Sequence, residues 1–329
     1  MIMVYLQKLG IGLSFIFSVA LLLDWTVRPS AAQTPKNYVV ITVSTKDLSS
    51  APVWLAERLG YFKKEGLESR IVVMRSDLQI ASLISGDADF AGSLSSVTKA
   101  AAVGIPVKIV VSFFNGGFFY LVTKPEITDV KMLRKKTIAI SRYGSATDFD
   151  ARAALKHFGL DASRDVTILP VGGGTNRLMS LVSGRVDGAI LTEGEREHAE
   201  KAGMKALIST GQFNKQPLGG LGTSVEKIRT SRDMLVRSLR AVYRALSVMK
   251  SDKNAIKEFF AKDLAIGATQ FESAYDSMMK VLLPDGEIPV SDLVAPYEDA
   301  RKSATKPPPV ALDDLVDWSL LRTARAGIK

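Results

Sequence analysis

One short segment occurs twice in this 329-residue chain. Residues 83–89 read LISGDAD and residues 181–187 read LVSGRVD, so the copies begin at positions 83 and 181, an offset of 98. Solenoid repeats have about 20–50 residues, so this period is too long for one. The repetition predicts two similar α/β lobes of ordinary domain size. Two facing lobes create a cleft, which is a preferred place for a small ligand.

The segments around the first copy alternate between strand-like and helix-like patterns. Strands are predicted at residues 38–44, 70–74, 89–92 and 107–113, and helices at 51–59, 78–85 and 97–103. Residues 137–191 repeat this order around the second copy. Such alternation predicts mostly parallel sheets with crossover helices. The predicted fold class is therefore α/β, with two lobes that are each a mostly parallel sheet flanked by helices.

Two extended segments are candidates for the chain crossings between the lobes. Residues 118–125 read FFYLVTKP and residues 217–224 read PLGGLGTS. Glycine absorbs the large dihedral changes that a hinge needs, although two ordinary surface loops are the alternative. From residue 231 the apolar periodicity is helical, and we expect these helices to pack on the first lobe. The predicted divisions are lobe I at residues 36–121 and 223–329 and lobe II at 122–222.

The first 32 residues have the composition of a targeting segment. Residues 1–8 carry one positive charge, residues 9–23 are apolar or small, and Ser30-Ala31-Ala32 supplies the small residues of a cleavage site. We expect residues 1–32 to be a cleaved secretory signal peptide. An uncleaved anchor is the alternative because residues 24–32 are long for a cleavage region, but the apolar run is short for a membrane span.

Composition excludes several classes of site. The chain has no cysteine, so it has no disulfide, no thiolate chemistry, no cysteine metal site and no lipid-attachment cysteine. It has 43 basic and 34 acidic residues, a formal net charge of +9. Basic residues at helical spacing in 227–244 predict a solvated helix face, and export argues against nucleic acid. The charge favours acidic ligands or surfaces only weakly.

One segment carries a family resemblance. Residues 56–68 read AERLGYFKKEGLE. This resembles the signature of periplasmic substrate-binding proteins of ABC importers, in the group that binds sulfonates, taurine, nitrate, bicarbonate and thiamine-precursor pyrimidines. The resemblance covers essentially the whole mature chain. Its further matching segments are residues 85–90, 104–108, 155–160 and 183–187.

The resemblance implies a fold and a role. It implies the type II periplasmic-binding-protein fold, capture of a small anionic organic ligand by lobe closure, and delivery to a permease and its ATPase in the inner membrane. It also implies a periplasmic monomer with no cofactor and no nucleic-acid partner. A periplasmic ligand sensor for a membrane signalling receptor is the alternative, and an exported enzyme is a third reading. Members of the family differ in ligand, so the substrate stays open.

Two loops precede helices at the carboxyl ends of predicted strands. Ligands of parallel sheets lie at this edge, and helix N-termini attract anions. Ser49 and Ser50 lie before the first helix, and the equivalent loop of the second lobe contains Gly144, Ser145, Ala146 and Thr147. Serine and threonine are also favoured N-caps, which is the alternative for both loops. The resemblance favours ligand binding for the second loop.

Two further loops follow the repeated segment and are predicted to face each other across the cleft. Ser93 and Ser95 lie in the first, where their hydroxyls are candidates for hydrogen bonds to the ligand. Glu193 lies in the second, where a carboxylate would favour a ligand with an amine or another donor. The alternative for Glu193 is a solvated loop acid.

Glycines and aromatic residues supply the remaining candidates. Gly174 and Thr175 belong to the segment GGGTNR, whose backbone amides are candidates to wrap a polar ligand group. This segment lacks the lysine and the spacing of a phosphate-binding loop, and a flexible turn is the alternative. Asn115 lies within the aromatic run 113–120, of which one or two rings are expected to line the cleft.

The sequence carries no pattern of a catalytic site. Its only histidines are His157 and His198, which have no metal-ligand spacing to each other or to carboxylates. No serine lies in a nucleophile-elbow pattern. A related branch of the family makes thiamine pyrimidine with a cysteine-rich motif, which a chain without cysteine cannot do. We therefore predict a binding protein and not an enzyme.

Overall fold

The computed structural model describes residues 37–211, 213, 215–302 and 311–328. The predicted signal peptide lies outside these residues. The strands are β1 (Tyr38–Val43), β2 (Glu68–Val73), β3 (Phe90–Ala91), β4 (Val107–Asn115), β5 (Tyr120–Thr123), β6 (Thr137–Ile140), β7 (Thr167–Pro170), β8 (Gly188–Leu191), β9 (Lys205–Ser209) and β10 (Pro217–Ser224).

Helices alternate with these strands and then continue to the end of the chain. They are α1 (Ala51–Arg58), α2 (Tyr61–Lys64), α3 (Ser76–Ser85), α4 (Leu94–Ala102), α5 (Ala146–His157), α6 (Gly174–Val182), α7 (Glu193–Lys201), α8 (Val225–Thr230), α9 (Arg232–Ser251), α10 (Lys253–Asp263), α11 (Ala268–Val281), α12 (Val294–Lys302) and α13 (Ser319–Ala326). Within the described ranges, no helix combines the length and the apolar character that crossing a membrane requires.

The described strands form two five-stranded sheets of the same design. Their strand orders are β2-β1-β3-β10-β4 and β7-β6-β8-β5-β9. In each sheet the first three strands are parallel, and the fourth runs antiparallel to both its neighbours. The prediction of two lobes, each with a mostly parallel sheet flanked by helices, is therefore confirmed.

The last residue of the repeated segment makes equivalent contacts in both lobes. Asp89, the last residue of the first copy, accepts a hydrogen bond from the β1 backbone at Val40 and pairs with Lys227 at 2.7 Å. Asp187, the last residue of the second copy, accepts one from Thr137 at the start of β6 and pairs with Lys124 at 2.9 Å. Asp89 thus joins β1, and Asp187 joins β6, to the segment that follows the antiparallel strand of the same sheet.

The predicted crossings are strands inside the sheets. Residues 120–123, half of the segment 118–125, form β5 in the second sheet, and residues 217–224 form β10 in the first. The predicted divisions at 121/122 and 222/223 therefore fall within strands, because each antiparallel strand fills a place in the sheet that it enters. The chain changes sheets earlier, between β4 and β5 and between β9 and β10.

Glycines bring the two changeover segments into direct contact. A Cβ atom on Gly211 would overlap the carbonyl oxygen of Gly117, so the two backbones touch. Buried Asp150 of α5 accepts a hydrogen bond from Thr210 at 2.6 Å, and the Gly117 backbone packs against the same carboxylate. Gly117 and Gly211 thus lie in the changeover segments, before the segments 118–125 and 217–224 in which a hinge was predicted.

The helical C-terminal part packs on the first sheet, as expected. Residues of α9 share the main core with β1 and α1. The family-like segment 56–68 is also structural, because Phe62 is fully buried and Glu65 pairs with Arg240 at 2.6 Å. One C-terminal helix, α11, also contacts the second sheet, because the hydroxyl groups of Ser277 and Tyr120 form a hydrogen bond of 2.6 Å.

Candidate ligand-binding cleft

Loops at the carboxyl ends of the parallel strands meet where the two sheets face each other. Lys99 lies on α4 of the first lobe, and its Nζ donates to the carbonyl oxygen of Gly144, in the loop after β6, at 3.2 Å. Arg142 of that same loop donates to the Ser76 hydroxyl at the start of α3 at 2.5 Å. These two contacts define a cleft between the lobes at the edge where α/β sheets bind ligands.

The space between the lobes is small in this structure. A cavity of about 10 Å³ lies here, and about that volume is needed to hold one water molecule. An organic ligand therefore does not fit in this cavity while Lys99 and Gly144 remain in contact. The residues that line the cavity combine one cation, hydroxyl and amide groups, one aromatic ring and two prolines: Ser95, Thr98, Lys99, Phe149, Gln216, Pro217 and Pro296.

Lys99 and Thr98 are two of the cleft residues that were not predicted from the sequence. In the described part of the chain, no carboxylate lies within ion-pairing distance of Lys99. The Thr98 side chain is only 1% exposed, and its hydroxyl finds no hydrogen-bond partner among the described residues. One signal was available, because Lys99 follows the predicted site residue Ser95 by one helical turn.

The predicted anion loop before α5 is already saturated by its own side chains. The Ser145 hydroxyl caps the helix by accepting from Asp148 N and also bonds the Thr147 hydroxyl, which in turn accepts from the Ser141 backbone at 2.9 Å. Asp148 accepts the Gly144 N–H at 2.8 Å and thereby places a carboxylate at the helix N-terminus.

Ser145 therefore acts as the N-cap of α5, as the alternative proposed, and the Thr147 hydroxyl is bound within the same loop. Ser145 and Thr147 are buried, and Ala146 is the first residue of α5. Gly144 differs, because its carbonyl oxygen meets Lys99 from the other lobe. A ligand role for the four residues stays a prediction, and Gly144 is the one with a contact across the cleft.

The loop after β1 uses both of its candidate serines internally. The Ser50 hydroxyl donates to the carbonyl oxygen of Thr45 at 2.7 Å, and the Ser49 hydroxyl donates to Asp47 at 2.6 Å. Ser50 does not cap α1 with its side chain, in contrast to the alternative considered from the sequence. The backbone of Gly219 in β10 approaches the Ser49 carbonyl so closely that a Cβ atom there would overlap it.

The loop after β3 is held by a residue from α3. Gln79 is fully buried, accepts the Ser93 N–H at 2.9 Å and donates to the Ser44 hydroxyl at 3.1 Å. The Ser93 hydroxyl lies 3.3 Å from that of Ser95. Ser95 lines the space between the lobes, whereas Ser93 is the backbone N-cap position of α4.

Glu193 is neither a solvated acid nor an uncompensated charge. It is 3% exposed, and both of its oxygens are held by the guanidinium group of Arg196. That guanidinium lies over the ring of Tyr120, 5.0 Å from its centroid. Burial is the main cause that raises the pKa of Tyr120. Because the charge of Glu193 is compensated, this residue gives little attraction for an amine.

The glycine-rich segment before α6 is filled by a carboxylate of the protein itself. A Cβ atom on Gly174 would overlap Oε1 of Glu195, so this position accommodates only glycine while Glu195 stays in place. Glu195 accepts the Thr192 N–H at 2.9 Å and pairs with Arg177, whose pKa is lowered by burial. Thr175 is exposed at this surface. The ligand roles of Gly174 and Thr175 stay predictions.

Asn115 lies beside the cavity between the lobes, because it pairs with Pro217 of β10, which lines that cavity, and its ligand role stays a prediction. The two histidines have other contacts. The Asn115 amide donates to Asp292 at 2.7 Å, while its carbonyl oxygen is buried without a partner among the described residues. His157 stacks against Phe213, and the Nδ1 atom of His198 lies 2.6 Å from the Gly194 carbonyl. The described ranges contain no group of three or more side chains arranged to hold a metal ion.

The chain is similar to a known protein family and to individual known proteins. The model of the family described as NMT1/THI5 like matches residues 47–255, which are 209 of the 329 residues. YtlA of Bacillus subtilis (strain 168), named as a binding protein, is 23% identical over 215 residues. That alignment covers 63% of this chain and 64% of YtlA, so it spans less than two thirds of the relative.

Solved structures share the whole fold at low sequence identity. SsuA of Methylobacillus flagellatus KT, named as a periplasmic sulfonate-binding protein, is 20% identical with a TM-score of 0.71 over 89% of this chain and 94% of its own. The desulfurization enzyme DszB, in a complex with biphenyl-2-sulfinic acid, is 15% identical with a TM-score of 0.66 over 88% of this chain and 99% of its own. The fold is therefore that of periplasmic binding proteins, which an enzyme also uses.

Proposed function

Because this chain belongs to the NMT1/THI5-like family, we propose that it is an extracytoplasmic solute-binding receptor for a small organic anion. Its lobes would close on the ligand and present it to an ABC importer. The observation that carries this proposal is Lys99. It is a cation at the edge where the sheets face each other, with no acidic partner in the described part of the chain.

The ligand would replace contacts that the protein now makes with itself. In the closed complex its acidic group would lie between Lys99 and the Gly144 loop, beside the unpartnered Thr98 hydroxyl. Phe149 and Pro217 would cover its carbon skeleton. Only the closed state offers both sides of the cleft, so the ligand shifts the equilibrium toward closure. A fully buried neutral ligand would leave the lysine unpaired.

Charge-assisted hydrogen bonds set the size of the effect to be measured. We would first identify co-purified small molecules by native mass spectrometry and then titrate a panel of alkanesulfonates and matching carboxylates by calorimetry. Lys99→Met should weaken binding on the order of 10–100-fold, since a hydrogen bond to a charged group contributes about 1.5–3 kcal/mol. Lys250→Met, at an exposed position on α9, is the matched control and should leave affinity unchanged. Equal affinities for both variants would contradict the proposal.

Export of the protein can be tested separately from ligand binding. The family resemblance and residues 1–32 support a periplasmic monomer whose partners are a permease and its ATPase. Protein recovered from the cell envelope should begin near Gln33, which N-terminal mass spectrometry would reveal. An intact Met1 in the membrane fraction would instead support the anchored form.

A catalyst is the second candidate, because DszB shares the fold. Incubation with biphenyl-2-sulfinic acid distinguishes the two functions. A receptor returns the compound unchanged, whereas an enzyme of the DszB type releases a desulfurized product. Turnover that is lost in Lys99→Met would replace the receptor proposal with an enzymatic one.

A further inference from the structure

At one edge of the second sheet, a basic residue lies near the end of every strand. It is the edge opposite the cleft, where β6, β7, β8 and β9 begin and β5 ends, as the pairing of Thr123 with both Gly188 and Lys205 indicates. The cations next to these strands are Arg164, Lys136, Arg185, Lys124 and Lys205. The turn before β6 adds Lys131, Arg134 and Lys135. We name these eight residues the basic edge.

The acids at this edge do not balance the cations. Residues 124–136, 161–165, 185–187 and 205 contain the eight cations and five acids. Three acids are engaged, because Asp187 pairs with Lys124, Asp165 with Arg134 and Asp161 with Arg164. Among the described residues, no carboxylate forms an ion pair with the remaining five cations: Lys131, Lys135, Lys136, Arg185 and Lys205. Lys136 is nevertheless close enough to Asp187 to contribute to the lowered pKa of that carboxylate.

At the corresponding edge of the first sheet, three of the cations have acidic partners. There Lys227 pairs with Asp89, Lys108 lies 3.8 Å from Asp314, and Arg229 pairs with Glu226. These three cations have acidic partners, whereas five cations of the basic edge form no ion pair among the described residues, although both sheets have the same design.

The turn before β6 holds an apolar side chain among the cations. Leu133 is fully buried and anchors the turn, while neighbouring Met132 is 47% exposed between Lys131 and Arg134. Lys135 adopts a left-handed backbone with φ of 63°, a conformation that glycine or asparagine adopts more easily. A charged side chain therefore occupies a position where the backbone conformation favours glycine or asparagine.

We propose that the basic edge binds an anionic phospholipid surface, with Met132 entering the headgroup layer. The cations lie on separate strands about 4.8 Å apart, so they spread over a sheet edge roughly 20 Å wide and do not converge on one point. A small anion needs convergent donors, whereas a charged plane engages all of them at once.

The test is sedimentation of the purified protein with vesicles of equal parts phosphatidylglycerol and phosphatidylcholine at low salt. The wild type should bind these vesicles and should not bind pure phosphatidylcholine. The triple variant Lys131→Gln, Lys135→Gln and Lys136→Gln should bind on the order of 100-fold more weakly, about fivefold for each charge removed near the surface. Added salt should also release the protein, because the Debye length shortens.

A charge-matched control separates the basic edge from the overall charge. Lys250, Lys280 and Lys302 are exposed cations on α9, α11 and α12, so their replacement by glutamine removes the same net charge elsewhere. This control should bind like the wild type, and both triple variants should keep the wild-type melting temperature. Equal loss in both variants would overturn the assignment, as would a wild type that ignores anionic vesicles.

Discussion

The replacement Gly174→Ala tests how the glycine-rich segment before α6 is built. The new Cβ would overlap Oε1 of Glu195, and its nearest neighbours are all atoms of that side chain, so the carboxylate has to move away. Glu195 then loses its hydrogen bond from Thr192 N, and Arg177 loses its acidic partner at 3.4 Å. Arg177 keeps its bonds to the Ile190 and Gly172 carbonyls.

The expected change in the free energy of unfolding follows from these contacts. Loss of the capping interaction at Thr192 costs about 1 kcal/mol. Loss of a hydrogen bond between charged groups costs about 1.5–3 kcal/mol, and the lower end applies because Glu195 is partly exposed. Alanine in place of glycine in a helix stabilises the folded protein by roughly 0.5–1 kcal/mol, which offsets part of this loss. Gly174→Ala should therefore destabilise the protein by about 2 kcal/mol.

Urea unfolding measures this difference, and the neighbouring glycine supplies the control. A Cβ atom on Gly173 meets no other atom within 4 Å, so Gly173→Ala should change stability by less than about 0.5 kcal/mol. In the background Glu195→Ala, the replacement Gly174→Ala should be neutral or stabilising, which a double-mutant cycle reports as coupling. A Gly174→Ala variant as stable as Gly173→Ala would refute the position of Glu195 and would reopen this segment as a ligand site.

Three further predictions concern the core, acid stability and motion. Glu65→Gln should lower the free energy of unfolding by about 2 kcal/mol because Arg240 loses a buried partner, whereas Glu68→Gln, in an exposed pair, should be nearly neutral in the same urea experiment. Hydrogen bonds from the Ser163 hydroxyl and N–H lower the pKa of Asp161 to about 2, so its stabilising contribution is present above pH 4 and is lost as the pH falls toward 2. Ser163→Ala should raise that pKa in an NMR titration; an unchanged value would exclude the hydroxyl as the cause. Small-angle scattering should show a smaller radius of gyration with saturating ligand, and an identical curve would count against lobe closure.

Much of the architecture was predictable because it rests on local patterns. The alternation of strands and helices and the repeat at positions 83 and 181 were sufficient to predict two mostly parallel sheets. The sequence also indicated the loops that reach the cleft, since carboxyl ends of parallel strands share one edge. It misjudged the crossings, because a strand that enters a sheet from the other lobe looks like a linker when only its own residues are considered.

The chemistry of the cleft was decided by tertiary structure. Hydroxyl groups look alike in sequence whether they cap a helix or bind a ligand, and the burial of Ser145 and Thr147 in a mutual network is a matter of packing. In the sequence Glu193 looks like a solvated loop acid, and only the structure shows that the Arg196 guanidinium binds its carboxylate. Lys99 and Gly144 lie 45 residues apart in different lobes, so no local pattern brings them together. Periodicity and propensity act over neighbouring residues and therefore determine elements and their order, whereas the partner of a charge depends on which distant surfaces fold against each other.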